Sequence, residues 1–292
     1  MKVFAGAVAM TFIMSFGMNG ALAAAQATHG DGQTLHETLC DVGLKFRDQV
    51  KAVMDQYKGL AQANKQLKEA GASYQKSLTA DTQNLSRYTT DEQLAGMAGV
   101  YSFDAGYAAL FLKKKDMGKF LGARKAVNEK LGFSMPLSSK MKALIENPDT
   151  IRDFKAWTDA LDEGASKFLA SGVTSDADLD MLVDMIYGMM IEGMYIVTES
   201  IALADYSPEM LALLNNQHDR MDFLIKTLNV FRGDEAFEKA VEFKGRLAFI
   251  GEVHNLLLVS EFTQREVDGL RKLIAPERQA ILNGEVRGLA AK

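Results

Sequence analysis

The chain has 292 residues, of which 48% are hydrophobic, enough to bury one large core or two modest ones. It carries 33 basic and 38 acidic residues, a formal net charge of −5, and it has no basic block, which argues against nucleic acid as a partner. Only 4 prolines interrupt a composition rich in good helix formers. We therefore predict an all-α protein, a multi-helix bundle built from antiparallel helical hairpins.

The N-terminus is typical of a Sec-type signal peptide, which we predict over residues 1–25. Lys2 precedes an uncharged apolar run, and the small residues of GALAAAQA offer A-x-A cleavage sites between residues 23 and 27. No cysteine follows them, so a lipoprotein is not indicated. We predict a periplasmic or secreted protein in which residues 26–292 form a single helical domain that is not an integral membrane protein. An uncleaved membrane anchor is the alternative.

A long first helix is predicted over about residues 34–70, because its apolar residues recur at alternating steps of three and four, as in a helix that packs on a partner helix. These residues are Leu35, Leu39, Val42, Phe46, Val50, Val53, Tyr57, Leu60 and Leu67. His36 and Cys40 lie one turn apart on this helix and are weak candidate ligands for a soft metal. Cys40 is the single cysteine, so no intramolecular disulfide is expected, and we predict neither a metal nor any other cofactor.

A second helix is predicted from a capping box at Thr89 and Glu92 to about Lys114. One of its faces is made of small residues, which predicts the close approach of another helix; these are Ala95, Gly99, Ser102, Gly106 and Ala109. The neighbouring stripe is apolar except for Asp104. An acidic residue in such a position needs a partner.

The most apolar mature segment is a helix predicted over residues 178–205, which holds a second acidic residue in an apolar stripe, Glu192. Gly188 and Gly193 would let a neighbouring helix come near. Its methionines are predicted to be adaptable core residues, with a copper-type site as the alternative. Downstream, Gln217 occupies an apolar position of a helix that starts at Ser207, and Pro276 is predicted to start a short terminal helix.

Three stretches carry a resemblance to a known family. They are GVYSFDAGYAALF (99–111), GMMIEGMYIVTESIAL (188–203) and NNQHDRMDFLIKTL (215–228). Together they resemble an uncharacterised family of exported all-helical proteins common in Bacteroidetes. The residues that fit the family's pattern are Asp104, Gly106, Tyr107, Glu192, Gly193 and Gln217, while Met194 stands where the family has a bulkier apolar residue. The resemblance covers roughly residues 90–231, and it implies no activity.

An ionised carboxylate in an apolar layer is costly unless it is paired, so Asp104 and Glu192 should meet a donor, a cation or each other. The side chains expected to donate to them are Tyr101, Tyr107, Tyr195 and Gln217. The two acidic residues lie in similar settings, each followed by a glycine and a tyrosine, which suggests two related hairpins packed face to face.

No catalytic signature occurs in the sequence, so we predict a protein that binds rather than catalyses. The first hypothesis is an exported protein that binds a small molecule between the helices of Asp104 and Glu192, with the tyrosines and Gln217 lining the site. The alternative is a structural or interaction protein of the cell envelope, docking through its long first helix. In that case the buried acids only fix helix packing.

Overall fold

The computed structural model describes residues 68–132, 138–171, 176–215 and 243–285, together with Ile225. The predicted signal peptide, nearly all of the predicted first helix, the candidate metal ligands His36 and Cys40, and Gln217 lie outside the described residues. Within them the regular elements are helical and no strand occurs. We number the α-helices α1 (Asp91–Leu110), α2 (Lys114–Leu131), α3 (Ser139–Glu146), α4 (Phe154–Ser171), α5 (Asp176–Leu203), α6 (Pro208–Leu211), α7 (Phe243–Leu257) and α8 (Gln264–Leu282).

The start of α1 is a capping box, one residue later than predicted. The Thr90 hydroxyl accepts from the Gln93 backbone N–H at 3.3 Å, and the Gln93 side chain accepts from the Thr90 N–H at 3.2 Å. The predicted partner Glu92 is not used for capping, because its carboxylate binds Arg246 at 3.0 Å. Because Glu92 forms this ion pair, the cap of α1 is formed by Thr90 and Gln93 and not by Thr89 and Glu92.

The small-residue face of α1 packs against α5 almost backbone to backbone, as predicted. A Cβ built on Gly99 would lie 2.0 Å from the Met185 carbonyl oxygen, and one built on Gly188 would lie 2.1 Å from the Gly96 carbonyl oxygen. Any larger residue at Gly99 or Gly188 would force the two helices apart.

The two packed helices run in the same direction. Glu92 and Asp184, near the starts of α1 and α5, bind the same Arg246, and Asp104 and Glu192 meet further along. Helix α8 runs the opposite way across α5, because Arg271 pairs with Glu199 and Arg278, seven residues later, pairs with Glu192. The shared direction of α1 and α5 brings their two acidic residues to one level of the bundle.

The apolar core lies on both sides of the α1–α5 contact. Trp157 is buried, and its indole packs against Gly106 of α1. Met185, Met190 and Met194 of α5 are buried among apolar residues, in keeping with their prediction as core fillers. Among the described helices, none is long and apolar enough to cross a membrane.

The prediction that Pro276 starts a terminal helix is wrong. Pro276 lies inside α8, which begins twelve residues earlier at a capping box between Thr263 and Glu266. Pro276 lies on the exposed side of α8, so the main-chain hydrogen bond that it cannot donate is missing where no other helix packs. The buried residues before and after it form one continuous face of α8. Arg271 and Arg278 project from this side of α8 and contact α5.

Candidate functional site

The structure brings the two predicted acidic residues into contact. Asp104 of α1 and Glu192 of α5 are both 0% exposed, and their carboxyl groups lie within hydrogen-bonding reach of each other. The close approach at Gly99 and Gly188 is what makes this contact possible, because short side chains on parallel helices meet only when the backbones nearly touch.

A cation from a third helix completes the group. Arg278 of α8 donates from Nε to Glu192 Oε2 at 2.6 Å and from Nη2 to Oε1 at 2.8 Å, a bidentate ion pair. Its Nη2 also donates to the Leu78 carbonyl oxygen at 2.7 Å, and its guanidinium lies 4.0 Å from the centre of the Tyr195 ring. The predicted residue Tyr195 thus contacts the arginine through its ring and not the acids through its hydroxyl.

The hydrogen bonds of Asp104 indicate where its proton lies. Its Oδ2 accepts from the Ala80 backbone N–H at 2.9 Å, whereas its buried Oδ1 accepts from no donor among the described residues. Burial and the neighbouring charge of Glu192 raise the pKa of Asp104 well above its ordinary value. The raised pKa and the absence of a donor to Oδ1 favour Asp104 as the member of the pair that retains a proton, with Oδ1 placed to donate it to Glu192.

The pKa of Glu192 is also raised, but Arg278 stabilises its ionised form directly. Burial raises the pKa of Glu192, while the hydrogen bonds and charge of Arg278 and the hydrogen bond from Asp104 lower it. A buried cation with two carboxyl groups is electrically balanced when one proton is retained. We name the group of Asp104, Glu192 and Arg278 the carboxyl triad; with Asp104 protonated it is an electrically neutral unit.

The predicted tyrosines of α1 bind main-chain atoms of residues 73–81, a segment that contains the short 3-10 helix Lys76–Leu78 and is hereafter called the strap. The Tyr107 hydroxyl accepts from the Gln75 N–H at 3.0 Å and donates to the Ser73 carbonyl oxygen at 3.3 Å. The Tyr101 hydroxyl donates to the Asp81 carbonyl oxygen at 2.9 Å. Burial raises the pKa of both tyrosines, so their hydroxyls stay protonated. The expected hydrogen bonds from these tyrosines to the acids are replaced by bonds to the strap.

The sequence predicted Tyr101, Asp104 and Tyr107 as site residues, but it did not predict that they bind the main chain of the strap. They are spaced by three residues on one face of α1 and, with Arg278, supply partners for the main chain of the strap. The main-chain groups of the strap that face α1 and α8 must find such partners, since an unpaired buried N–H or C=O is costly. The missed arginine had one signal in the sequence: Arg271 and Arg278 repeat the seven-residue spacing of Glu199 and Glu192.

A second polar cluster lies at the other end of the α1–α5 contact. Arg246 of α7 donates to Asp184 and Glu92 and stacks 4.7 Å from the centre of the Tyr187 ring. The Tyr187 hydroxyl donates to Glu277 at 2.8 Å. This cluster borders a half-open cleft of about 30 Å³, the room of one or two water molecules. A cleft of this volume has room for water that hydrates the ion pairs of Arg246.

The described residues contain no group of three His, Cys, Asp or Glu side chains arranged to hold a metal ion. Chemically, the carboxyl triad can bind one proton and join α1, α5, α8 and the strap at one point. Comparison of the chain with protein-family models, with curated protein sequences and with solved structures finds no match.

Proposed function

We propose that the protein is an exported interaction protein of the cell envelope whose buried acids fix the packing of its helices. The observation that carries this proposal is the saturation of the carboxyl triad by its own chain. Glu192 has a bidentate arginine, and Asp104 has the Ala80 N–H on one oxygen and Glu192 on the other. Both acids are 0% exposed, so a ligand would have to displace internal partners to reach them.

The other candidate, a small molecule bound between the Asp104 and Glu192 helices, has less support for the same reason. A ligand site usually presents a few polar groups towards a cavity of several hundred cubic ångströms. The polar groups of the carboxyl triad point at each other and at the strap. The resemblance to the exported Bacteroidetes family, the signal peptide and the envelope location stay predictions.

We also propose that α1–α2 and α5 with its following segment are related hairpins packed face to face. The parallel course of α1 and α5 supports this arrangement, as does the matching order of acid, glycine and tyrosine on the two helices. Under this proposal the carboxyl triad is the place where the two hairpins recognise each other, and Arg278 locks their register.

The experiment is native mass spectrometry with elemental analysis on the mature protein, purified from the cells that export it. We expect the mass of the polypeptide alone, and a stable protein partner that is lost when the residues before Gly71 are deleted. A retained small molecule or metal that disappears in a folded Glu192→Gln variant would overturn the proposal in favour of the ligand site. Circular dichroism of that variant provides the control for folding.

A further inference from the structure

The outer side of α2 concentrates positive charge in a chain that is acidic as a whole. Residues 113–131 contain seven basic and two acidic side chains, whereas the whole chain has 33 basic and 38 acidic residues. The exposed side of α2 is a row of four lysines, hereafter the lysine face: Lys115, Lys119, Lys125 and Lys130. Gly122 and Ala126 lie between them, so no large apolar side chain interrupts this face.

The lysine face has few acidic partners within the protein. Glu129 lies 3.7 Å from Lys125 in an exposed pair, and solvent reduces such a contact to little net attraction. The other acidic residue of α2, Asp116, is paired with Lys76 of the strap at 3.2 Å. The first two lysines of the face form no ion pair with any of the described residues. The positive charge of α2 is therefore largely uncompensated and open to an external anion.

The position of these lysines along the chain does not stabilise the helix that carries them. The sequence predicted that α1 runs to about Lys114, but the structure ends α1 at Leu110, so Lys114 and Lys115 lie in the first turn of α2. Positive charge is unfavourable there, because the helix dipole is itself positive at the N-terminus. The N-cap residue Lys113 adds a further positive charge and makes no side-chain capping bond. Residues that oppose the local rules of helix stability are typical of functional surfaces.

An exposed leucine adjoins the lysines. Leu112, in the turn between α1 and α2, is 39% exposed and is one of four exposed large hydrophobic side chains among the described residues. Its φ is +53°, in the left-handed region, where glycine and asparagine are ordinary and leucine is strained. Neither burial nor turn geometry therefore accounts for a leucine at this position. Its side chain would leave water only on an apolar phase next to the lysines.

We propose that the lysine face and Leu112 form a docking surface for a membrane that contains anionic phospholipids. The lysines are complementary in charge to the headgroups, and each strengthens binding by roughly fivefold. Leu112 enters the interfacial region beside them, which a soluble polyanion does not offer. The contact is peripheral and reversible, because salt screens it. The proposal goes beyond the proposed function and rests on it only for the predicted place of the protein in the cell envelope.

The test is co-sedimentation of the mature protein, purified from the cells that export it, with phospholipid vesicles. One set of vesicles is phosphatidylcholine alone, and the other contains about 30% phosphatidylglycerol. At low ionic strength we expect binding to the anionic vesicles to be at least about tenfold tighter. This difference should disappear at about 1 M salt, where charges are screened within about 3 Å. Equal binding to both sets, or binding to the anionic set that salt does not weaken, would overturn the proposal.

Lys119→Gln tests the lysine face and should weaken binding to the anionic vesicles roughly fivefold. Lys272→Gln is the matched control, because Lys272 is also an exposed lysine but lies on α8, which packs against α5. It changes the net charge by the same amount and should leave the affinity unchanged. Circular dichroism of both variants checks that they fold. Equal losses in the two variants would show that net charge alone matters and would contradict a docking surface on α2.

Leu112→Asn should change membrane binding and stability in opposite directions. Asparagine adopts the left-handed conformation more readily than leucine, so the free energy of unfolding should rise. Vesicle binding should weaken roughly fivefold, because an apolar side chain no longer enters the interfacial region. Binding to inorganic polyphosphate, a soluble polyanion, should not change. Vesicle binding that is unaffected by Leu112→Asn would assign the lysines to a soluble polyanion and overturn the membrane proposal.

The vesicle experiment and the proposed function can fail separately. A protein that does not bind anionic vesicles loses the membrane surface and is still an interaction protein with a protein partner. A small molecule found by native mass spectrometry removes the proposed function and leaves the vesicle result standing. The variants of α2 also keep residues 34–70 unchanged, so membrane binding by that predicted helix would give no difference between Lys119→Gln and the wild type.

Discussion

Asp104→Asn should make the protein more stable, by an amount that grows as the pH rises. In the native protein Asp104 keeps a proton because burial and Glu192 raise its pKa well above the ordinary value of 3.8. In the unfolded chain Asp104 loses that proton near its ordinary pKa. Above that pH the native state binds one more proton than the unfolded state, so the free energy of unfolding falls as the pH increases.

The expected slope is about 1.4 kcal/mol per pH unit, and it ends once the native pKa is passed. Asparagine reproduces the protonated acid, since its amide nitrogen can donate to Glu192 while its oxygen accepts from the Ala80 N–H. It has no proton to lose. The difference in unfolding free energy between Asp104→Asn and the wild type should therefore increase by about 1.4 kcal/mol per pH unit from pH 4 upwards.

The assay is urea unfolding of the full chain, followed by circular dichroism at pH 5, 6 and 7, with equal m-values as the check that only stability changed. Asp159→Asn is the control, because Asp159 forms an exposed i,i+4 pair with Lys155. Its removal should cost less than about 1 kcal/mol at every pH. Parallel curves for the wild type and Asp104→Asn would refute the assignment of the proton to Asp104.

Two further results are expected from the same unfolding assay. Gly99→Ala should destabilise the protein by about 3 kcal/mol or more, because the new Cβ meets a carbonyl oxygen of α5 at 2.0 Å. Gly122→Ala places its Cβ with nothing within 4 Å, so it should raise the free energy of unfolding by about 1 kcal/mol. A similar effect of both substitutions would contradict the close α1–α5 approach. Glu192→Gln should cost about 3–5 kcal/mol, because it removes the bidentate carboxylate partner of the buried Arg278. Glu199→Gln, whose arginine is partly exposed, should cost no more than about 1 kcal/mol. Equal costs would show that the carboxyl triad is not a buried ion pair.

Local sequence signals were sufficient for the helices and for the face that packs most closely. Gly132 ends α2 as a left-handed residue with φ of +64°, and Ser138 caps α3 through its hydroxyl. The row of small residues around Gly99 predicted a close helix contact, and that prediction is confirmed. Helical periodicity and capping depend on neighbours within one or two turns, which the sequence displays directly.

The sequence also indicated that Asp104 and Glu192 need partners, because an acid in an apolar stripe violates the helical pattern. It could not identify those partners. Arg278 is 86 positions from Glu192 and Ala80 is 24 from Asp104, and nothing in a local pattern relates such positions. The proton on Asp104 also depends on the tertiary structure, because it requires the two carboxyls to share one dry site.

The amino-acid pattern by itself determined that the described residues form helices, where several of those helices begin, and which polar residues are exceptional. Only the tertiary structure decided what those residues do. The sequence predicted the tyrosines of α1 as partners of the acids, and the structure shows them bound to the strap, whose main-chain N–H and C=O groups need partners where they face the bundle. A need for such hydrogen-bond partners arises only when segments distant in sequence pack together, so it cannot be predicted from the pattern of a single helix.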